Sequence, residues 1–415
     1  MRKLALLVLL AVCWAGLQVE AQEAGKGQVW VGSWATSQQI PEPWNSLPSS
    51  DMTDMTMREI FHLSVGGQTV RVRLSNAFGR KPLRFTSVHI ARAVSAASSA
   101  IDPATDRRLT FAGSADVTVP AGAEYLSDPV ELPVAPLSNV AVTFHLDTAP
   151  AGETGHPGSR ETTYYEHGDH VAAASLPDAK RVDHWFEVSG VDVAAPRGAA
   201  AVVVLGDSIT DGHASTTNGN DRWTDVLAER LQANAATRDI GVLNEGIGGN
   251  HLLTDGLGPN ALARLNRDVL AQAGVRWLIV FEGVNDLGKL SREGDVPAAE
   301  HALLVHQIEA ALGQIVTRAH AEGIRVIGAT ITPYVGSDYY HPGAQNEADR
   351  EAVNKWIRTP GHFDSVLDLD KAMRDPAHKD RLRPGYDSGD HLHPGPKGYR
   401  AMGDAVPLDL FKGNW

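Results

Sequence analysis

Apolar positions along this chain follow two different periods, and the change falls near residue 198. In residues 29–190 the period is two. Residues 69–74 alternate apolar and polar, which puts Val70, Val72 and Leu74 on one face of a strand. Residues 59–65 are rich in β-branched and aromatic side chains, and Gly66-Gly67 separates the two runs, so the pattern predicts a hairpin. Further short strands are expected at 83–93, 116–119, 130–132 and 139–146, punctuated by Gly, Pro and Asp. Trp30 and Trp34 read as part of a first strand packed on the core, with a sugar-stacking face as the alternative. Residues 94–106 are Ala/Ser-rich and read as a loop. With no helical stripe between these strands, residues 22–197 are expected to form an antiparallel β-sandwich, jelly-roll in style.

Beyond residue 198 short, wholly apolar runs alternate with stripes of period 3.6. Residues 199–205 form a continuous apolar run of the kind buried on both faces of a parallel sheet. Trp223, Val226, Leu227 and Leu231 then share a helix face. Strands follow at 241–244, 277–282, 325–331 and 365–369. Helices are expected at 261–273, around Leu304, Ile308, Leu312 and Ile315, at 346–357, and from Pro396 onward. This alternation predicts a doubly wound α/β domain over 198–415 with a mostly parallel sheet. In such sheets ligands bind outside the C-terminal strand ends, so the loops after Leu205, Asn244, Glu282 and Ile331 are expected to face the site.

The first residues change the expected setting. Arg2 and Lys3 precede an apolar run over 4–17, and Val19-Glu20-Ala21 offers a small-residue cleavage site. The run falls short of the ~20 residues of a spanning helix, so 1–21 reads as a signal peptide and the protein as exported, periplasmic or extracellular. The single cysteine, Cys13, lies in that segment. The remaining chain therefore offers no disulfide framework, thiolate nucleophile or Cys-ligated metal. No cofactor or metal is expected. The formal net charge is −13, and removing 1–21 makes it one unit more negative. Nucleic acid and anionic membrane surfaces need clustered Lys and Arg, so neither is an expected partner. No later stretch is apolar enough to span a bilayer.

The candidate chemistry sits at the strand ends. Gly206-Asp207-Ser208 follows the first strand, and a serine there stands at the mouth of the sheet, although a plain turn would give the same tripeptide. Gly248-Gly249-Asn250 follows the second, where a glycine N–H can approach a substrate oxygen or merely make a turn. Gly283-Val284-Asn285-Asp286 follows the third, where the asparagine amide can donate to the same oxygen or close an Asx turn. A serine hydroxyl needs a base, and a carboxylate must orient that base. Asp390-His391-Leu392-His393-Pro394 supplies both within one turn. Asp338-Tyr339-Tyr340-His341-Pro342 has the same spacing, but it lies mid-domain, whereas the later copy follows the last strand and precedes the final helix. Position selects His393 and leaves the earlier copy to shape a pocket rim. His391, adjacent to Asp390, reads as an exposed loop residue. Residues 164–170 hold Tyr, Glu, His and Asp without regular ligand spacing, and read as a polar edge or loop.

Together, Gly206-Asp207-Ser208, Gly249, Asn285-Asp286 and Asp390-x-x-His393 resemble the four ordered blocks of the SGNH/GDSL hydrolase superfamily, over about residues 198–412. The resemblance implies Ser208 as nucleophile, His393 as base and then acid, and Asp390 as its orienting carboxylate. It implies an oxyanion hole from the Ser208 N–H, the Gly249 N–H and the Asn285 amide. Gly248 could fill the glycine role too, and Gly249 is preferred because polar Asn250 follows it. No Gly-x-Ser-x-Gly pentapeptide surrounds Ser208, which disfavours the standard α/β-hydrolase fold. A β-sandwich beside such a domain resembles some carbohydrate esterases. The expected substrate is an O-acetylated carbohydrate, small-molecule or polysaccharide; lipase, arylesterase or thioesterase activity is the alternative, and an inert glycan-binding protein a third reading.

Overall fold

The computed structural model describes Gly25 and residues 27–412. The expected signal peptide and Cys13 lie outside the described residues.

The N-terminal half is two main antiparallel sheets across a common core, with two further two-stranded pairs, Leu83–Phe85 with Val117–Val119 and Gly155–His156 with Trp185–Phe186. One orders Gln28–Ala35, Val188–Pro196 and Gly67–Ser75, with Glu124–Leu126 and Val130–Val134 both paired to the last. The other orders Lys180–Val182, Thr163–His167, Met55–His62, Asn139–Leu146, Ser87–Arg92 and Arg107–Arg108. The period-two face read from sequence is the buried one: Val70, Val72 and Leu74 meet Phe61, Val142 and Phe144 in one cluster. Trp34 also lies inside, stacked on Phe61 at 3.8 Å. Trp30 lies under the Arg71 guanidinium at 4.4 Å, so neither ring is a bare sugar platform. The loop around 94–102 covers the outer face of the second sheet, where Ser99 O accepts from buried Arg58 at 2.6 Å.

The expected hairpin does not form. Met55–His62 and Gly67–Ser75 enter opposite sheets. The segment between them crosses from one sheet to the other, its backbone satisfied by bonds such as Ser64 N–H to Ser33 O (2.9 Å) and Ser33 Oγ–H to Val65 O (2.6 Å). Gly66 is there for close approach: a Cβ would sit 2.6 Å from Val134 O. Both strands are apolar on one face, and facing each other across the core buries both faces.

The C-terminal half is a five-stranded parallel sheet. Its strands in chain order are Ala200–Gly206, Ile240–Gly246, Val275–Phe281, Arg325–Ala329 and Ser365–Leu367, and in space they run second, first, third, fourth, fifth. The helices are α1 (Ser208–Asp211), α2 (Trp223–Gln232), α3 (Ala261–Leu265, continued as one π turn to Leu270), α4 (Val284–Leu290), α5 (Ala298–Ala321), α6 (Ala344–Arg358), α7 (Leu369–Met373) and α8 (Pro396–Ala405). The short α4 lies in a stretch read as loop. Among the described residues no helix is long and apolar enough to cross a membrane.

The first strand is buried on both faces. Val202 and Val204 pack with Trp223 and Tyr399 under α2 and α8. Ala201, Val203 and Leu205 face the other way, into the core that also holds the β-sandwich interior. The two halves therefore share one core. The N-terminal half also covers the edge strand Ile240–Gly246, where Ser64 Oγ accepts the Val242 N–H at 2.9 Å.

Candidate active site

The first strand reverses at Gly206, where a Cβ would lie 2.2 Å from Thr210 Oγ1, so only glycine lets α1 fold so tightly onto the strand end. Asp207 caps α1 by taking the Ile209 N–H on Oδ1 at 2.9 Å. Ser208 is thus the first residue of α1. Burial, backed by the neighbouring Asp286 carboxylate, pushes Asp207 up to about 7.

Ser208 Oγ lies 2.8 Å from His393 Nε2, and His393 Nδ1 lies 2.6 Å from Asp390 Oδ2. Asp390 Oδ1 takes the backbone N–H groups of Leu392 (2.9 Å) and His393 (2.8 Å), so a single turn builds both acid and base. Partial burial works against the Asp390 charge, but the His393 ring and those N–H donors outweigh it and hold the carboxyl below the usual range. The carboxylate fixes the proton on Nδ1 and leaves Nε2 to accept from the serine. His391 turns away to Asp387, 2.6 Å from Nδ1. The earlier Asp-x-x-His copy sends Asp338, Tyr339 and Tyr340 to the cleft wall, with His341 outside it.

The opposite wall carries donors. Gly249 is left-handed (φ 65°), and its N–H, like that of Ser208, has no acceptor among the described residues. Asn285 is buried; its Nδ2 gives one hydrogen to Asn250 O at 2.7 Å, and its Oδ1 accepts the Tyr340 hydroxyl at 2.6 Å. Its second amide hydrogen remains for an incoming oxygen. Asp286 turns the other way and takes the Leu252 and Leu253 N–H groups at 2.8 and 3.1 Å, which ties the glycine loop to α4. Beneath both, the fully buried Arg264 guanidinium donates to Asn250 Oδ1 (2.8 Å), Gly206 O (2.9 Å) and Ser37 Oγ of the β-sandwich (2.6 Å). The cleft between the walls holds about 540 Å³ and is bordered by Leu257, Tyr339 and Leu392 as well as the polar groups.

Sequence reasoning thus named residues that the fold brings together, and it overlooked Tyr340, Arg264 and His213, which reach the site or its supports from elsewhere. Tyr340 sat inside a motif already noted as a rim; nothing in the sequence singled out the other two.

The arrangement can deliver a proton-relieved hydroxyl to a carbonyl carbon while donors meet the carbonyl oxygen, which is the chemistry of a serine hydrolase on an α/β scaffold. Residues 204–401 match the model of the GDSL-like Lipase/Acylhydrolase family, and the protein is a carboxylic ester hydrolase with a GDSL-type acylhydrolase domain in its C-terminal half. Similar solved structures include a carbohydrate acetylesterase from Sinorhizobium meliloti (16% identity, 51% of this chain and 98% of that one, TM-score 0.39). An acetyl xylan esterase (22%, 49% and 96%, 0.38) and a GDSL-like lipase from Bacteroides thetaiotaomicron (17%, 50% and 86%, 0.36) are others. No curated protein sequence matches significantly.

Proposed function

We propose that Ser208, His393 and Asp390 hydrolyse carboxylic esters through an acyl-enzyme, and that the ester is an O-acetyl group on a carbohydrate. The 2.8 Å bond from Ser208 Oγ to His393 Nε2 carries the reading. Ser208 attacks the ester carbonyl as His393 takes its proton; the Ser208 and Gly249 N–H groups and Asn285 Nδ2 hold the tetrahedral oxygen. His393 then gives the proton to the departing alcohol, and water repeats the sequence on the acyl-enzyme. Ser208→Ala is expected to abolish turnover of 4-nitrophenyl acetate and of acetylated xylan while the thermal unfolding curve stays that of the parent. Retained turnover refutes the assignment.

An open cleft whose wall sets the hydroxyl of Ser337 and the carboxylate of Asp338 beside Tyr339, a half-exposed ring with the Arg292 guanidinium 4.1 Å over it, suits the hydroxyl edges of a sugar. Leu257 and Leu392 on the same walls favour the second reading, a small acyl or aryl ester. Acetate release from acetylated xylan or pectin, measured against hydrolysis of butyrate and octanoate esters, separates them. Export is the other part of the proposal, supported by the charged and apolar pattern of residues 1–21. A secreted product beginning at Gln22 is expected; an unprocessed cytoplasmic chain would contradict it.

A further inference from the structure

His213 follows the nucleophile's turn and plays no part in the steps above. Its backbone is fixed at both ends: its N–H donates to Ser208 O at 2.9 Å, and its O accepts the Tyr399 hydroxyl at 2.6 Å. Its ring lies against that of His393, with centroids 4.1 Å apart and planes inclined by 41°, and it borders the cleft. Arg160, from the β-sandwich half, donates through Nη2 to His213 Nδ1 at 3.0 Å. Arg160 is itself held in a left-handed conformation (φ 52°), with its carbonyl taking the Asn218 N–H at 2.8 Å.

A guanidinium can only donate, so His213 Nδ1 accepts, and a neutral ring must then carry its hydrogen on Nε2. Partial burial, the His393 ring and the Arg160 cation push the His213 pKa down to about 4, so the ring stays neutral at working pH. Nε2–H has no acceptor among the described residues. The side of the cleft is informative. Gly249 and Asn285 meet the carbonyl oxygen, and His393 protonates the leaving oxygen, so the alcohol half of the ester lies toward His393 and the ring stacked on it.

We propose that His213 Nε2–H binds a hydroxyl next to the ester oxygen on the alcohol half, so that the site selects monoesters of vicinal diols such as sugars. Arg160 acts through His213: it fixes the tautomer, and by it the β-sandwich half sets part of the specificity. The proposal rests on the esterase reading above and deepens it.

The test compares the monoacetate of trans-1,2-cyclohexanediol with cyclohexyl acetate, which differ by that hydroxyl alone. Loss of both activities in Ser208→Ala establishes the esterase reading independently. The parent is expected to prefer the diol ester in kcat/KM. His213→Phe, which keeps a ring against His393 but has no N–H, is expected to cut that preference about tenfold, the worth of one good hydrogen bond. Arg160→Met, altered only in the β-sandwich half, is expected to cut it by a smaller factor. A parent with no preference overturns the proposal, as do variants that lose activity on both esters in equal measure.

Discussion

At the scale of single residues, Tyr340 does for Asn285 what Asp390 does for His393. An amide can present oxygen or nitrogen to the cleft; the Tyr340 hydroxyl on Oδ1 and the Asn250 carbonyl on Nδ2 decide which. Removing one oxyanion donor costs ~10²–10³ in rate, so Asn285→Ala is expected to lower kcat by about that much. Tyr340→Phe keeps the ring and loses only the hydroxyl, so a smaller fall in kcat with little change in KM is expected. In an Asn285→Ala background it should have no further effect, because the group it orients is gone. Additive losses in that double-mutant cycle would show Tyr340 acting elsewhere. The residues legible in the sequence were those whose chemistry follows from type and place: a serine past a buried strand, a histidine three residues after an aspartate. Tyr340 and Arg264 were not legible, because a hydroxyl and a guanidinium that act on a neighbour's orientation carry no local signature. Arg264 meets Ser37 across 227 positions of sequence.

At the scale of elements, α1 is held from outside its own domain. Residues 155–162 of the β-sandwich half lie against it: His156 Nε2 is 2.8 Å from Asp211 Oδ1, and a Cβ on Gly158 would lie 2.1 Å from Asp211 Oδ2. The same stretch contains Glu161, whose two carboxylate oxygens are buried without hydrogen-bond partners and whose pKa burial pushes up to about 8. Its folded-state pKa exceeds the unfolded one, so its contribution is fully present below the unfolded value and is lost as pH rises through about 8. Glu161→Gln should therefore raise Tm at pH 8.5 relative to the parent and little at pH 5, by differential scanning calorimetry. An equal shift at both pH values would contradict this. The parallel strands were legible because burial on both faces makes them continuous apolar runs. The hairpin was misread because a strand–glycine–strand pattern looks the same whether the chain returns beside itself or crosses to a facing sheet. The short α4 is not legible because its seven residues, Gly288 among them, offer only Val284, Leu287 and Leu290 as apolar positions, too few to set a helical period. Gly288 is required there, since a Cβ would sit 2.4 Å from the Tyr340 ring.

At the scale of the whole molecule, the last antiparallel strand ends at Pro196 and the first parallel strand begins at Ala200, yet the two halves share a core. Val203 and Leu205 of the parallel sheet and Val70 and Phe144 of the sandwich belong to one apolar cluster. Ser37 also bonds Glu245 (2.7 Å) and Asp268 (2.8 Å) beneath the site. A chain of residues 198–415 alone would expose that face, so it is expected to lack a cooperative unfolding transition. A sharp transition together with parental esterase activity would show the halves to be independent. Buried acids set the pH behaviour of the full chain. Burial raises Glu153 and Asp207 to about 7 and Asp286 to about 6, so each favours the fold at low pH and withdraws that support as pH climbs through those values. Asp390, held low, works the other way and only in strong acid. His213 and His251, both held down to about 4, oppose this trend only up to the ordinary histidine value of 6.5, so between pH 6.5 and 8 the Tm of the intact chain should fall; a rise across that window would contradict the assignment.

The covalent step offers the most direct test of the central claim. After treatment with a fluorophosphonate, intact-mass and peptide mass spectrometry should find one adduct, on Ser208, appearing in step with the loss of esterase activity. An inactivated enzyme with Ser208 unmodified, or a fully labelled Ser208 with activity intact, would contradict the account.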